Sequence, residues 1–327
     1  MKFFLKKILW FFLPVVAVAC FADYLLSASL AKSVALAQGE FQVWEDIYDG
    51  NANTDVAVLG SSRAWMHFDP EIMKAGLNRS VYNFGIDGHS FALQNFRYNE
   101  LLKHNNAPKF IVYSVDIFTF AKREELYNSI QFLPYLLWNK DMYDITKRYQ
   151  GFSFWDSWLP LVRYSGQHEA IAKAVDIALH GEHDKPLRHK GYFGKPEKWN
   201  SDLEKAKAKT KSFEVKVFNE YQIAFEEFLR QCRKNGQTVV LINSPEEVEG
   251  QQFVSNREEI MAMYRDIAQR HQLLFIDYGN DAMCRDKQYF YNALHLNRKG
   301  SKLFTQKIVD DLKRLNAVPE LRDGNSR

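Results

Sequence analysis

Apolar residues follow three patterns along this chain. Near the start, Ile8 to Leu26 is apolar almost without a break, with Asp23 its only charge. That is about enough for a helix to cross a bilayer. From Val56 onward, short uninterrupted apolar runs alternate with runs at helical spacing. The run Val56 to Gly60, "VAVLG", has no charge and two β-branched residues, as expected of a strand buried on both faces. Further strands are predicted at Ser80 to Ile86, Phe110 to Asp116, Thr238 to Asn243 and Leu273 to Tyr278. Between them, Val217, Phe218, Tyr221, Phe225, Phe228, Leu229 and Cys232 recur at i, i+3 and i+4, which makes a helix with one apolar stripe. A second helix is expected through Ile260, Met263, Tyr264 and Ile267, and a third through Leu303, Phe304, Ile308, Leu312 and Leu315. Alternation of strand and helix predicts an α/β fold with a doubly wound, mainly parallel sheet and right-handed crossovers.

The third pattern interrupts this rhythm from about Phe120 to Lys211. The interval is too long for one crossover and is rich in aromatics: Phe132, Tyr135, Trp138, Tyr149, Phe152, Phe154, Trp155 and Trp158. It reads as a helical insertion over the carboxyl edge of the sheet. Such rings could form a sugar platform, but an insertion of this size needs its own core, so roughly three in four are expected to be packing residues. The predicted organisation is a membrane anchor with its juxtamembrane segment at 1–37 and an α/β domain at 38–327, which contains the insertion.

Charge orients the anchor. Lys2, Lys6 and Lys7 precede the apolar run, so the start of the chain is expected in the cytoplasm and the main domain outside, periplasmic or external, on a single-pass protein. The length of the run favours an uncleaved anchor. Ala35-Leu36-Ala37 is an alternative signal-peptidase site, and Ala17-Val18-Ala19-Cys20 resembles a lipoprotein processing box. A net charge of +3 over 327 residues points to no nucleic-acid partner. The most basic stretch, Lys185 to Lys211, is broken by Asp184, Glu197, Asp202 and Glu204 and reads as a solvated surface. A disulfide between Cys232 and Cys284 is permitted outside the cytoplasm but not implied, and Cys232 continues a helix stripe, as a small buried hydrophobe would.

Candidate chemistry sits at two places. The first strand ends on Gly60, Ser61, Ser62 and Arg63, and in open α/β sheets the carboxyl ends of strands face the crevice where ligands bind. Ser62 is there either a nucleophile or the cap of the next helix. His295 lies in a predicted loop before the last helix, and Asn292, three residues earlier, is close enough in a turn to reach its ring. A serine hydroxyl is a weak nucleophile until a base takes its proton, which His295 would do. Arg63 is expected to bind an anionic substrate group or to pair with Asp69 or Asp116. His67 and His89 are expected beside the crevice or at the surface. No histidine or carboxylate cluster has metal-ligand spacing, "HGEHD" at His180 to Asp184 reading as an exposed polar loop. No glycine-rich phosphate loop follows the first strand, so neither metal nor cofactor is expected.

These residues carry a family resemblance. "VLGSSRAW" resembles the first block of the SGNH or GDSL hydrolases, with Gly60-Ser61-Ser62 in place of Gly-Asp-Ser. "NFGIDGHS" resembles the second block, and "NALHLN" the last, Asp-x-x-His. The resemblance implies a flavodoxin-like fold with Ser62 as nucleophile, His295 as base, and an oxyanion hole from the amides of Ser62 and Gly88. Asn292 stands where the family has its acid. The third block, Gly-x-Asn-Asp, is absent, and "YSVDIF" stands at that strand end, where an inward Asp116 would repel an oxyanion. An anchor followed by Gly-Ser-Ser-Arg and a terminal His-Leu-Asn-x-x-Gly resembles, more narrowly, the membrane-tethered extracytoplasmic members that accompany membrane-bound O-acyltransferases in polysaccharide O-acetylation or teichoic-acid D-alanylation. That branch implies a serine esterase or O-acyltransferase acting on a cell-surface polysaccharide, with such an acyltransferase as partner. The alternative is a member that has kept the fold, lost catalysis, and binds glycan or scaffolds its partner.

Overall fold

The structure, a computed structural model, describes residues 2–318. In chain order the helices are α1 (Lys2–Leu30), α2 (Glu40–Tyr48), α3 (Ser62–His67), α4 (Pro70–Leu77), α5 (Phe91–His104), α6 (Lys140–Thr146), α7 (Phe154–Trp158), α8 (His168–His180), α9 (Asp202–Lys209), α10 (Asn219–Lys234), α11 (Val248–Phe253), α12 (Arg257–His271) and α13 (Arg298–Arg314). The strands are β1 (Val56–Gly60), β2 (Val81–Asn83), β3 (Phe110–Val115), β4 (Thr238–Asn243), β5 (Leu274–Asp277), β6 (Phe290–Asn292) and β7 (His295–Leu296). Strands β1 to β5 form one parallel sheet in the order β2-β1-β3-β4-β5. This is the doubly wound order in which the topological switch lies between β1 and β3. The expected α/β sheet is therefore present, with all five strands where the apolar runs place them.

Alternation along the strands serves two helical layers. Val56, Val58, Phe110, Val112, Val240 and Ile242 pack with Phe304, Ile308 and Leu312 of α13. On the opposite face the Tyr113 ring meets Phe91 of α5 and Phe225 and Phe228 of α10. A sheet covered on both faces explains why its strands are uninterrupted apolar runs. Cys232 is buried in α10, and it and Cys284 are free thiols.

The chain divides into two compact units, differently from the predicted organisation. One joins the chain up to Glu45 with Arg123–Arg188; the other joins Asp46–Lys122 with the chain from His189 onward. In the first unit α1 does not stand apart from the insertion. Arg163 grips both carboxylate oxygens of Asp23 at 2.7 and 2.8 Å and donates to Ser27 Oγ at 2.9 Å. Leu30 packs with Phe41, Leu133, Tyr164, Ala170 and Ala174. Residues 189–200 leave the insertion and lie on the α/β unit. There Phe193 N donates to Trp65 O at 3.1 Å, Asn83 N to Lys190 O at 3.0 Å, and Asn200 N to Tyr291 O at 2.8 Å.

Candidate active site

The turn that ends β1 is built for close approach. Gly60 has φ +140°, and a Cβ there would stand 2.6 Å from Ser114 O on the neighbouring strand. Only glycine fits, because both the backbone conformation and the space exclude a side chain. The next residue, Ser61, takes the capping role: its Oγ accepts from Arg63 N at 3.3 Å. Its hydroxyl in turn donates to the buried carboxylate of Asp116, whose other oxygen accepts from Phe118 N at 2.7 Å. With Ser61 as the cap, Ser62 is left at the first helical position with its hydroxyl free for other work.

That hydroxyl meets His295. Ser62 Oγ and His295 Nε2 are 2.8 Å apart, and His295 Nδ1 is 3.0 Å from Asn292 Oδ1. His295 does not lie in a loop. It opens β7, paired antiparallel with β6 so that Asn292 and His295 face each other. The same Asn292 oxygen accepts from the backbone N–H groups of Leu294 at 3.1 Å and His295 at 3.0 Å. Two main-chain donors hold the amide with its oxygen toward the ring, so His295 Nδ1 carries the proton. Nε2 is then the lone pair that faces the Ser62 hydroxyl, as a general base requires.

The electrostatics favour a neutral ring. Burial lowers the pKa of His295 to about 3, and the positive charges of Arg63 and Lys195 act in the same direction. His67 is also lowered well below the ordinary range, by burial first and then by Arg63 and His295. It is fully buried, and its ring lies edge-on to His295 at 6.0 Å. His67 Nδ1 lies 2.8 Å from Ser244 Oγ, and Nε2 accepts from Leu296 N at 3.0 Å. The ring of α3 thereby fixes the backbone next to His295. His89 is likewise buried rather than at the surface.

Other residues depart from expectation. Arg63 pairs with neither Asp69 nor Asp116, and it is not free for substrate. Its guanidinium is buried against Glu246 and the carbonyl of Ser244, and Glu246 also accepts from Arg257 at 2.9 Å. Asp69 caps α4. Asp116 is committed to Ser61 and Phe118 N and is not directed at an oxyanion. Gly88 lies in the turn between β2 and α5 with φ +71°. Among the described residues, neither its amide nor that of Ser62 donates a hydrogen bond.

Three residues act here without having been signalled by the sequence pattern. Asn83 donates to Ala64 O and Phe68 O at 2.8 and 2.9 Å and accepts from Gly85 N, which ties the loop after β2 to α3. Tyr291 stacks on His295 at 5.3 Å and 14°. Lys195 lies over the Tyr291 ring, 4.9 Å from its centroid. The basic stretch at 185–211 is therefore only partly a solvated surface.

Neither a protein-family model nor a curated protein matches the sequence. Solved structures with a similar chain path include a protein of Streptococcus pneumonia described as a platelet activating factor, at 16% identity over 90% of this chain and 98% of that one, TM-score 0.41. Another, from Bacteroides fragilis, is described as an acylhydrolase, at 12% identity over 78% and 86%, TM-score 0.33. A third is a GDSL-like lipase from Bacteroides thetaiotaomicron, at 11% identity over 80% and 88%, TM-score 0.33. At such scores the likeness assigns no activity to this chain.

Proposed function

We propose that the α/β unit is a serine-dependent acyl-ester hydrolase or O-acyltransferase of SGNH type, held on the outer face of a membrane by α1. The observation that carries this reading is the relay from Ser62 Oγ through His295 to Asn292, with the histidine tautomer fixed by the two backbone donors on Asn292. In the reaction, Ser62 Oγ bonds to the acyl carbonyl carbon as its proton passes to His295 Nε2. The departing alkoxide takes that proton back and leaves an acyl-serine. An acceptor hydroxyl, of water or of a sugar, then repeats the exchange and frees Ser62. The amides of Ser62 and Gly88 would hold the oxyanion in both halves.

A carboxylate-to-asparagine change at this position costs a Ser–His–Asp enzyme about 10⁴ in rate, chiefly through the wrong tautomer. Here the tautomer is the working one, and what is missing is the negative charge that would steady the imidazolium. Acylation should therefore occur, slowly. For substrate we propose an O-acylated cell-surface polysaccharide, most simply an acetyl ester, with a membrane-bound O-acyltransferase as the source of acyl groups. The support for that part is the resemblance of the Gly-Ser-Ser-Arg and His-Leu-Asn-x-x-Gly blocks.

Retention of α1 is part of the reading. It is long and apolar enough to be a membrane span or a signal sequence. Asp23, Ser27 and Leu30 belong to the core of the first unit, and cleavage after Ala37 would remove all three. A second reading, a catalytically silent glycan-binding or scaffolding member, is favoured by one observation: the charges acting on the His295 ring are cations. Turnover of an acetyl nitrophenyl ester by the full-length protein, with and without an oligosaccharide acceptor, separates these readings. The proposal expects slow turnover that Ser62→Ala abolishes, with acetylated oligosaccharide as a product if transfer is the reaction. Turnover equal in wild type and Ser62→Ala would favour the silent member.

A further inference from the structure

Only half of the insertion's aromatics pack into a core, fewer than the three in four expected. Phe132 and Tyr149 are buried and Tyr135 and Phe152 half-buried, but Trp138, Phe154, Trp155 and Trp158 are exposed, Trp138 by 65% and Trp158 by 57%. They form one patch. On α7, Phe154 stacks on Trp158 at 6.1 Å and meets Trp155 edge-on at 5.4 Å. Trp138 joins through its indole N–H, which donates to Trp158 O at 3.0 Å, and its amide, which donates to Ser157 O at 2.8 Å. Asp156, the carboxylate on the same helix, is turned back onto the amide and hydroxyl of Ser153.

The position of the patch along α1 gives it a meaning. Just beyond α7, Leu161 N donates to Asp23 Oδ2 at 2.6 Å, and Arg163 completes the grip on that carboxylate. The patch thus adjoins α1 at Asp23. Before this point α1 is bare, with Trp10, Phe11, Leu13, Val18 and Phe21 exposed; after it, Leu30 is in the core. The apolar stretch of α1 is long enough to span, but the part between Lys7 and the Asp23 contact with the unit is the 15 residues 8–22, about 22 Å of helix against a hydrocarbon core of about 30 Å. Lys6 and Lys7 can extend to the headgroups on their side. The remaining mismatch is met if the face of the unit at Asp23 is drawn into the opposite interface, where indole rings are at their best, apolar in body and polar at one edge.

We propose that Trp138, Phe154, Trp155 and Trp158 are a lipid-facing collar that seats the anchor-bearing unit in the headgroup layer of the bilayer that α1 spans. The inference rests on the retained anchor proposed above. The buried Asp23–Arg163 pair then sits at the interface inside protein, where its charges are satisfied.

The test is tryptophan quenching in the full-length protein reconstituted into phosphatidylcholine–phosphatidylglycerol vesicles, using lipids brominated near the headgroup end of the acyl chain. In a Trp10→Phe background, the collar predicts strong quenching by these lipids and shielding from aqueous iodide. The lipid quenching should be lost when Trp138, Trp155 and Trp158 are also changed to Phe, which leaves the buried Trp44 and Trp65 and the half-buried Trp199. Lipid quenching no greater than in that multiple variant, with iodide reaching the emission that the three indoles add to it, would overturn the collar. So would a shift in the emission of these indoles on adding oligosaccharide with no response to lipid, which would mark a sugar platform instead. The protein with Trp10 intact and the other three changed to Phe reports the anchor, against the variant that also lacks Trp10. Deep-brominated lipid quenches Trp10 if α1 spans; absence of that quenching would overturn the anchor and the collar together.

Discussion

Asn292 decides how well His295 can work. Because its oxygen is held by Leu294 N and His295 N, it sets the tautomer but brings no charge. Asn292→Asp should raise the pKa of His295 by stabilising the imidazolium, and raise the acylation rate of Ser62 by at least about tenfold, part of the roughly 10⁴ that separates the two residues in a full triad; stopped-flow release of nitrophenol checks this. The pH profile follows from the same balance. With its pKa lowered to about 3, His295 stays an unprotonated base well below the ordinary imidazole range near 6.5. Acylation by the wild type should therefore be flat from pH 8 down to about 5, and the acid limb should move toward neutrality in Asn292→Asp. A wild-type limb near pH 6.5 would contradict the environment described. For stability the sign is the reverse of a salt-bridged histidine. The unfolded chain takes up protons below about 6.5 that His295 and His67 refuse when folded, so stability falls as pH drops from there. Ser62, Asn292 and His295 were legible because each belongs to a short local pattern. Asn83, Tyr291 and Lys195 were not, because their partners are backbone groups or a ring reached only through the fold.

At the level of elements, the five sheet strands were legible as apolar runs, whereas the β6–β7 hairpin was not. Its strands of three and two residues are too short to show a period. Yet this hairpin, with α3, fixes the site. His67 bridges them by accepting from Leu296 N, and Gly60 lets α3 start against Ser114. His67→Ala should leave a buried N–H and hydroxyl without a partner and cost about 1–3 kcal/mol. Activity should fall further than stability accounts for, because His295 loses its backbone support. Denaturant unfolding beside the rate of serine acylation separates the two effects. The helix α10 shows a smaller displacement: it starts at Asn219, and Val217 and Phe218, which continue its apolar spacing, lie before it. Apolar spacing marks a face and says less about where a helix begins.

For the whole molecule, the pattern of apolar runs separated anchor, insertion and sheet, but not which of them share a core. That depends on Asp23, which as a lone charge in an apolar run looks like an imperfection and is instead one half of a buried pair with Arg163. Asp23→Ala should strand the Arg163 charge and destabilise the first unit by about 3–5 kcal/mol, read as a lowered unfolding transition in detergent. The same pairing argues against cleavage after Ala37, which would remove Asp23. Peptide mapping of protein extracted from membranes should find residues 8–37 still joined to the domain, and loss of the residues before Cys20 or Gln38 would contradict retention. An activated serine at the end of β1 is open to covalent trapping by a fluorophosphonate, read by intact mass. One adduct is expected on the wild type, on Ser62, absent from Ser62→Ala and strongly slowed in His295→Ala. A folded wild type that takes no label, or one whose label persists in Ser62→Ala, would contradict it.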